Sequence, residues 1–328
     1  MSNDGRTIAE QAERLAAAGR VAEALSLLAQ GAERRDAEAC FTLAVWRLAG
    51  RAVPRDLALA REMFGRAAAA GHPQAGAVYR AFVANGTGGP RQWREALRLL
   101  RSSKDANARR QLEIISAMHL TEDGDSVAVS PAEILSESPS VSLLRSFMTP
   151  RECDYLADAA SPLFSDSVVV DPATGRLVRD PVRTSEAAAF PLALEDPLIH
   201  ALNRRIGAAS GTDPAQGEPL QVLRYRPGQE YKAHSDALPG GANQRILTML
   251  VYLNDGYQGG ETLFLENGLS IKGNRGDAIL FRNADLTGRP DPAARHAGLP
   301  VRRGVKLLAS RWIRAKPLDL TGGMKQAG

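Results

Sequence analysis

The last third of the chain repeats one local design: short runs of aliphatic and β-branched residues at 220–225, 246–253, 262–265, 277–281 and 305–313, each closed off by glycine, proline or polar turn residues. Runs of this length and composition suit a pleated, half-buried surface better than a helix. Several in succession specify an all-β sandwich or barrel. Two helices are expected outside it. One begins at Thr149-Pro150-Arg151-Glu152, where threonine can cap and proline suits the first turn. The other covers about 197–210, with Asp196 placed to cap it.

The first third is written in a different period. Alanine and leucine recur at helical spacing from Ile8 to Leu28, with a break at Gly19-Arg20. A repeat follows: Ala39 and Ala75 lie thirty-six residues apart, Gly50 answers to the run Gly86 to Gly89, and a second helix is expected from Trp93 to Leu100. A third, weaker copy starts near Ala108. Two helices per unit at such a period predict a helical solenoid. The pieces "GRAVPRD" and "FGRAAAAGHPQA" resemble the Sel-like subclass of tetratricopeptide repeats, over roughly residues 5–115. His72 sits where such repeats turn and reads as structural. Residues 116–140, rich in Ser, Pro and acids, read as a linker, with a short strand at 126–130; 318–328 reads as a flexible tail.

At 328 residues the chain has room for two cores, and its 44% hydrophobic content is that of a globular protein. A formal charge of +4 comes from scattered arginines. No basic cluster with interleaved aromatics appears, so no nucleic-acid partner is expected. Cys40 and Cys153 are too few for a disulfide framework and read as reduced, buried residues. The start of the chain is polar, and the run at 246–253 is far too short to span a bilayer. The expectation is a cytoplasmic protein with no membrane partner.

His234-Ser235-Asp236 is the sharpest chemical signal. In an extended segment, residues two apart project to one side, so an imidazole and a carboxylate could meet one metal ion. With 5 histidines and 37 acids in the chain, chance alone supplies about half a His-x-acid match. Of the other histidines, His72 is in the repeats, while His119 and His200 precede the β-rich part. His296 is left as the available third ligand. Two histidines and one carboxylate leave half of an octahedral ion's positions open, which suits Fe(II) enzymes that bind an organic cosubstrate and dioxygen. A structural zinc site would want four closed ligands, usually including cysteine.

Lys306 is the second piece. It shares one strand face with Leu308, Ser310 and Trp312. On an inner, apolar face its ammonium needs an anion, and the far carboxylate of a dicarboxylate cosubstrate would supply one. On the outer face it is an ordinary solvated lysine. Periodicity alone does not choose between them.

The pieces "LQVLRYRPGQEYKAHSD", "NQRILTMLVYLNDGYQGGETLF", "KGNRGDAILF" and "RHAGLPVRRGVKLLASRWIR" resemble, in order and spacing, the catalytic core of the prolyl 4-hydroxylase alpha-subunit family of 2-oxoglutarate-dependent dioxygenases. "FMTPRECDYLADAA" and "VRTSEAAAF" fit the lead-in of the same family, so the resemblance covers about 141–317. It implies an α+β multidomain protein: the helical solenoid, then a double-stranded β-helix (jelly-roll) with flanking helices. It further implies that His234, Asp236 and His296 ligate iron. Lys306 would bind the far carboxylate of 2-oxoglutarate, with Tyr225 as its hydrogen-bonding companion. Tyr231 would face substrate and iron, and Thr248 and Trp312 would line the pocket. Gly259-Gly260-Glu261-Thr262 matches the family's turn. Ala237 and Leu307 stand where the family often carries aromatics, and the loop 238–243 is short, departures that bear on the substrate more than on the metal.

The implied reaction couples oxidative decarboxylation of 2-oxoglutarate, giving succinate and CO2, to hydroxylation of a substrate C–H bond, commonly with ascorbate keeping iron reduced. Asp236 speaks against a halogenase, since a halide would need the carboxylate's position. A prolyl residue in a protein or peptide, docked by the repeats, is the leading substrate expectation. The alternatives are a small molecule such as a free amino acid, or a repeat scaffold whose oxygenase domain does not turn over.

Overall fold

A computed structural model of the chain describes residues 7–50, 52–170, 177–179, 182–239, 243–285 and 287–318, with 168–170 and 177–179 by backbone alone. The expected tail falls outside the described residues from 319 onward, as does the centre of the 238–243 loop. Two compact units divide the chain: Met1–Gly124 with Leu192–His200, and Asp125–Pro191 with Ala201–Leu318.

Among the described residues up to Gly124, the first unit is built of α1 (Ile8–Ala17), α2 (Val21–Glu33), α3 (Ala37–Ala49), α4 (Leu57–Ala69), α5 (Ala75–Asn85), α6 (Trp93–Ser102) and α7 (Ala106–Ala117). Their starts are written in the sequence. Thr7 and Glu10 form a reciprocal capping box at α1, and Asp36, Asp56 and Asp105 accept from first-turn amides of α3, α4 and α7. Small residues let the helices approach closely; Ala24, Ala39, Ala60 and Ala67 are wholly buried. Phe64 and Phe82 fill the space between them edge to face, 5.5 Å apart.

The pairs α3–α4 and α5–α6 share one local geometry thirty-six residues apart. Gly50 and Gly86 end their helices at φ of 68° and 81°, a conformation glycine adopts without strain. Each donates back four residues, to the Trp46 and Phe82 carbonyls, and the returning chain closes equivalent bonds, Asp56 to Arg47 and Gln92 to Val83. His72 serves the turn between the pairs. Its Nδ1 accepts from the Gln74 and Ala75 amides, and its ring stacks on Phe41.

The chain continues through β1 (Ala132–Glu137), β2 (Ser140–Leu144), α8 (Pro150–Ala160), β3 (Ser165–Asp166), β4 (Val168–Val170), β5 (Leu177–Arg179), β6 (Glu186–Phe190) and α9 (Pro197–Ser210). Then come β7 (Leu220–Tyr225), β8 (Tyr231–His234), β9 (Arg245–Tyr252), β10 (Gln258–Gly259), β11 (Thr262–Phe264), β12 (Ser270–Ile271), β13 (Ala278–Arg282), β14 (His296–Gly298), β15 (Val301–Arg303) and β16 (Lys306–Arg314). An eight-stranded antiparallel sheet runs β1-β2-β13-β9-β16-β7-β6-β3, and a four-stranded antiparallel sheet runs β12-β11-β14-β8. A helical N-terminal region followed by these sheets is consistent with a jelly-roll oxygenase fold. Apolar side chains of both sheets form one core, including Val141, Tyr252, Phe264, Ile279, Phe281 and Leu308. Phe264 of the smaller sheet meets Phe281 of the larger one edge to face at 5.2 Å.

All five expected strands are present. The stretch read as a linker differs: instead of a strand at 126–130 it carries β1, the outermost strand of the larger sheet, whose first three residues are exposed. An edge strand exposed to water has a polar composition, and so reads as a loop. Cys40 and Cys153 are free and buried. No helix among the described residues is long and apolar enough to cross a membrane.

A candidate metal centre and its pocket

The register of the smaller sheet creates the centre. His234 ends β8, His296 begins β14, and the antiparallel pairing sets the two directly opposite each other, so their side chains fall on one face. Asp236 follows two residues after His234. The metal-ligating atoms of the three residues lie within 4.8 Å of one another.

Hydrogen bonding fixes which atoms face inward. His234 Nδ1 lies 2.7 Å from the Lys232 carbonyl and His296 Nδ1 3.0 Å from that of Ala294. A carbonyl only accepts, so each Nδ1 carries a proton, and in the neutral ring the lone pair then sits on the Nε2 turned toward Asp236. Those nitrogens stand 3.5 and 3.8 Å from the carboxylate oxygens. Burial holds His296 below the ordinary imidazole pKa, which keeps it neutral. For Asp236, burial alone would raise the pKa. Contact with the two imidazoles and with the Thr248 hydroxyl outweighs it and holds the carboxylate well below the usual range. Two lone pairs and an anion that converge without a proton between them call for a cation. The donor set fits a divalent metal with open positions.

The pocket in front of these residues has about 400 Å³ of empty space, counting its open mouth. The alternating face of β16 is the inner one, because Lys306, Leu308, Ser310 and Trp312 all line this pocket, together with Tyr225, Tyr231 and Thr262. Lys306 is 3% exposed. Its Nζ donates to the Gly260 carbonyl at 2.7 Å and lies 5.5 and 5.6 Å from the Tyr225 and Tyr252 rings. Among the described residues no carboxylate forms an ion pair with it, and burial lowers its pKa to about 8. This is a buried cation facing a cavity, and an anionic ligand would neutralise it.

Tyr225 is the cross-strand partner of Lys306, and burial pushes its hydroxyl up to about 12. Tyr231 stacks on His234, ring centroids 3.4 Å apart. Thr248, expected in the pocket wall, sits instead behind Asp236, to which it donates a hydrogen bond. Sequence reasoning missed Asn283, which bonds Thr248 from the far side, and read Gly259-Gly260 only as part of the family's turn. Both glycines do adopt positive φ, and a Cβ at Gly259 would collide with the Pro300 carbonyl. The turn also presents the carbonyl that holds Lys306. No periodic signal marks these partners, because they depend on register.

Comparison with known proteins agrees with this geometry. Residues 220–314 match the family model of the 2OG-Fe(II) oxygenase superfamily. The chain is 39% identical over 204 residues to prolyl 4-hydroxylase 1 of Arabidopsis thaliana, a match covering 56% of this chain and 72% of that protein. It is 31% identical over 216 residues to prolyl 4-hydroxylase subunit alpha-1 of Rattus norvegicus, covering 62% of this chain and 40% of that one. Among solved structures, the viral collagen prolyl hydroxylase of Paramecium Bursaria Chlorella virus-1 in complex with 2OG is 31% identical. That match covers 54% of this chain and 96% of the viral one, with a TM-score of 0.44. Identity at this level over most of a relative's length settles the kinship: the chain belongs to the prolyl 4-hydroxylase family of 2OG-Fe(II) oxygenases.

Proposed function

We propose that this chain hydroxylates prolyl residues of a protein or peptide, with Fe(II) held by His234, Asp236 and His296 and 2-oxoglutarate held at its far carboxylate by Lys306 and Tyr225. One observation carries the site assignment: three electron-pair donors converge in the same pocket as a buried lysine that has no ion-pair partner among the described residues. Iron and 2-oxoglutarate together would supply the oxidising chemistry. The chain's own residues do the rest. The backbone carbonyls of Lys232 and Ala294 fix the tautomer and the aim of the imidazoles. Lys306 orients the diacid from its far end, and Leu223, Leu250 and Leu308 keep water from the pocket wall. Tyr231, stacked on the metal-side histidine, stands where a substrate would approach. Trp312 lines the same wall. Ascorbate, as a reductant for iron, completes the cofactor set.

We also read residues 1–115 as a Sel-like repeat module, 141–317 as the oxygenase domain and the protein as cytoplasmic. The matched loop geometry at Gly50 and Gly86 supports the repeat reading, and solenoids offer surfaces suited to protein partners; docking of the substrate is the role proposed for it. The test is succinate formation by the full chain with Fe(II), 2-oxoglutarate and ascorbate, with and without proline-rich peptides. Stimulation by peptides is expected. Stimulation by free amino acids alone would assign a small-molecule substrate, and bound iron without turnover would leave a scaffold.

A further inference from the structure

Behind the three donors lies a buried polar chain that packing does not require. Thr248 of β9 and Asn283, just past β13, are both fully buried at 0% exposure. Thr248 Oγ1 donates to Asp236 Oδ2 at 2.7 Å, and Asn283 Nδ2 donates to Thr248 Oγ1 at 2.7 Å. Chemistry fixes the direction. An ionised carboxylate only accepts, so the one hydroxyl proton of Thr248 goes to Asp236, and the second bond to that oxygen must come from a donor. The Asn283 amide therefore turns its NH2 toward Thr248. Its Oδ1 is left buried with no hydrogen-bond partner among the described residues. The Asn283 backbone is tied at both ends, its N–H to the Ile246 carbonyl and its carbonyl to the Asp291 N–H, each at 2.8 Å. Valine and leucine would fill the same space with no orphaned oxygen.

We infer that Thr248 and Asn283 are positioning residues that hold Asp236 as a one-oxygen ligand, an inference that rests on the proposed role of Asp236. The two imidazoles are fixed by strand register and by their own carbonyl partners. Asp236 lies past the end of β8, and its carboxylate needs another anchor. A free carboxylate can rotate and present one oxygen or both to a metal. Each oxygen faces one imidazole, Oδ1 that of His234 at 3.5 Å and Oδ2 that of His296 at 3.8 Å, and because Thr248 engages Oδ2, Oδ1 is the oxygen offered. One occupied position instead of two keeps half of an octahedral ion open for ligands. The chain also ties the carboxylate to the larger sheet, whereas both histidines belong to the smaller one.

Thr248→Val removes the hydroxyl at nearly constant shape, and Thr248→Ser keeps it. Titration with Co(II) alone, read by its visible spectrum, reports both affinity and coordination. Thr248→Val should raise the Co(II) Kd about 10–100-fold and alter the spectrum. Thr248→Ser should restore both toward the wild type, and Asn283→Ala should fall between. In turnover, Thr248→Val should lower kcat while the KM for 2-oxoglutarate, set at the Lys306 end, stays within about threefold. Melting of the metal-free proteins separates a lost fold from a lost ligand. Should Thr248→Val fail to fold, Asn283→Ala against Thr248→Ser carries the same comparison. Wild-type Co(II) affinity and spectrum in the folded variants, with an active wild type, overturn the inference and leave the proposed function standing. A wild type that neither binds Co(II) nor consumes 2-oxoglutarate removes both.

Discussion

Replacing Lys306 with methionine should make the protein more stable and a worse enzyme at once. The lysine is buried, and the folded state lowers its pKa from 10.5 to about 8. That gap corresponds to roughly 3 kcal/mol of destabilisation at pH 7, where the group is charged in both folded and unfolded chains. Methionine fills nearly the same volume without the charge. The Gly260 carbonyl then loses its donor, which takes back about 1 kcal/mol. The net gain is about 2 kcal/mol, or roughly 4–8 °C in the melting of a unit this size. The sign with pH follows from a depressed folded-state pKa. The cost of the lysine is full below about pH 8, shrinks as the folded state loses its proton between about 8 and 10.5, and is gone above that range. Over the same interval the variant's advantage should vanish and reverse, leaving it about 1 kcal/mol less stable than the wild type above pH 10.5, where only the lost Gly260 bond counts. Binding moves the other way. Loss of one partner of a buried charge pair costs about 2–5 kcal/mol, so the KM for 2-oxoglutarate should rise by at least about 30-fold, with a smaller change in kcat. Thermal melting at pH 7 and pH 10.5, with succinate formation against 2-oxoglutarate concentration, measures both. A variant that melts below the wild type at pH 7, or keeps its KM, would refute the picture of a buried cation waiting for a diacid.

Three further outcomes follow from the same site. His234→Ala or His296→Ala should abolish metal-dependent succinate formation, and anaerobic Fe(II) titration should show the loss of stoichiometric binding; full turnover in either variant would remove it from the ligand set. Mn(II) at about 100 times its Kd should stabilise the wild type by about 2.7 kcal/mol, EDTA should reverse the gain, and His296→Ala should show neither effect on melting. Gly259→Ala forces a side chain into positive φ against the Pro300 carbonyl, so it should cost about 1–3 kcal/mol and raise the 2-oxoglutarate requirement through the displaced Gly260 carbonyl; unchanged melting would show that the turn is not strained.

Strand content was legible because it is a local property. The runs at 220–225 and 305–313 carry their own composition and turn signals, and β7 and β16 fall on them within a residue. β8 and β14 were not legible, although they carry both imidazoles. At four and three residues they are too short for any period to emerge. His234-x-Asp236 was visible as a pattern, but its partner His296 is joined to it by cross-strand register, which local sequence does not encode. The same limit explains Lys306. Alternation shows that it shares a face with Trp312, and only the packing of one sheet on the other shows which face is inside. Thr248 reads as one more β-branched strand residue, and Asn283 as a turn former after a strand. Their pairing is a tertiary event.

The two unusual features of the pocket are opposite in sign, and together they limit what can occupy it. At one end Asp236 and two imidazole lone pairs converge without a proton to share; at the other, Lys306 holds a positive charge without an ion-pair partner among the described residues. The Asp236 and Lys306 charges cancel over the pocket as a whole, yet each is left uncompensated locally. A divalent cation alone satisfies the first end and leaves the pocket with two excess positive charges. A dianion alone satisfies the second and brings its remaining negative charge near Asp236 in a low-dielectric setting, where like charges repel strongly. A divalent cation and a dianion together leave no net charge and neutralise both ends. Binding of the diacid should therefore depend on the metal, and each should strengthen the other by the same factor. The residues that create this coupling, His234, Asp236, His296 and Lys306, stand on β8, β14, β16 and the turn after β8, so it is the closure of one sheet over the other that converts four separate side chains into a single site.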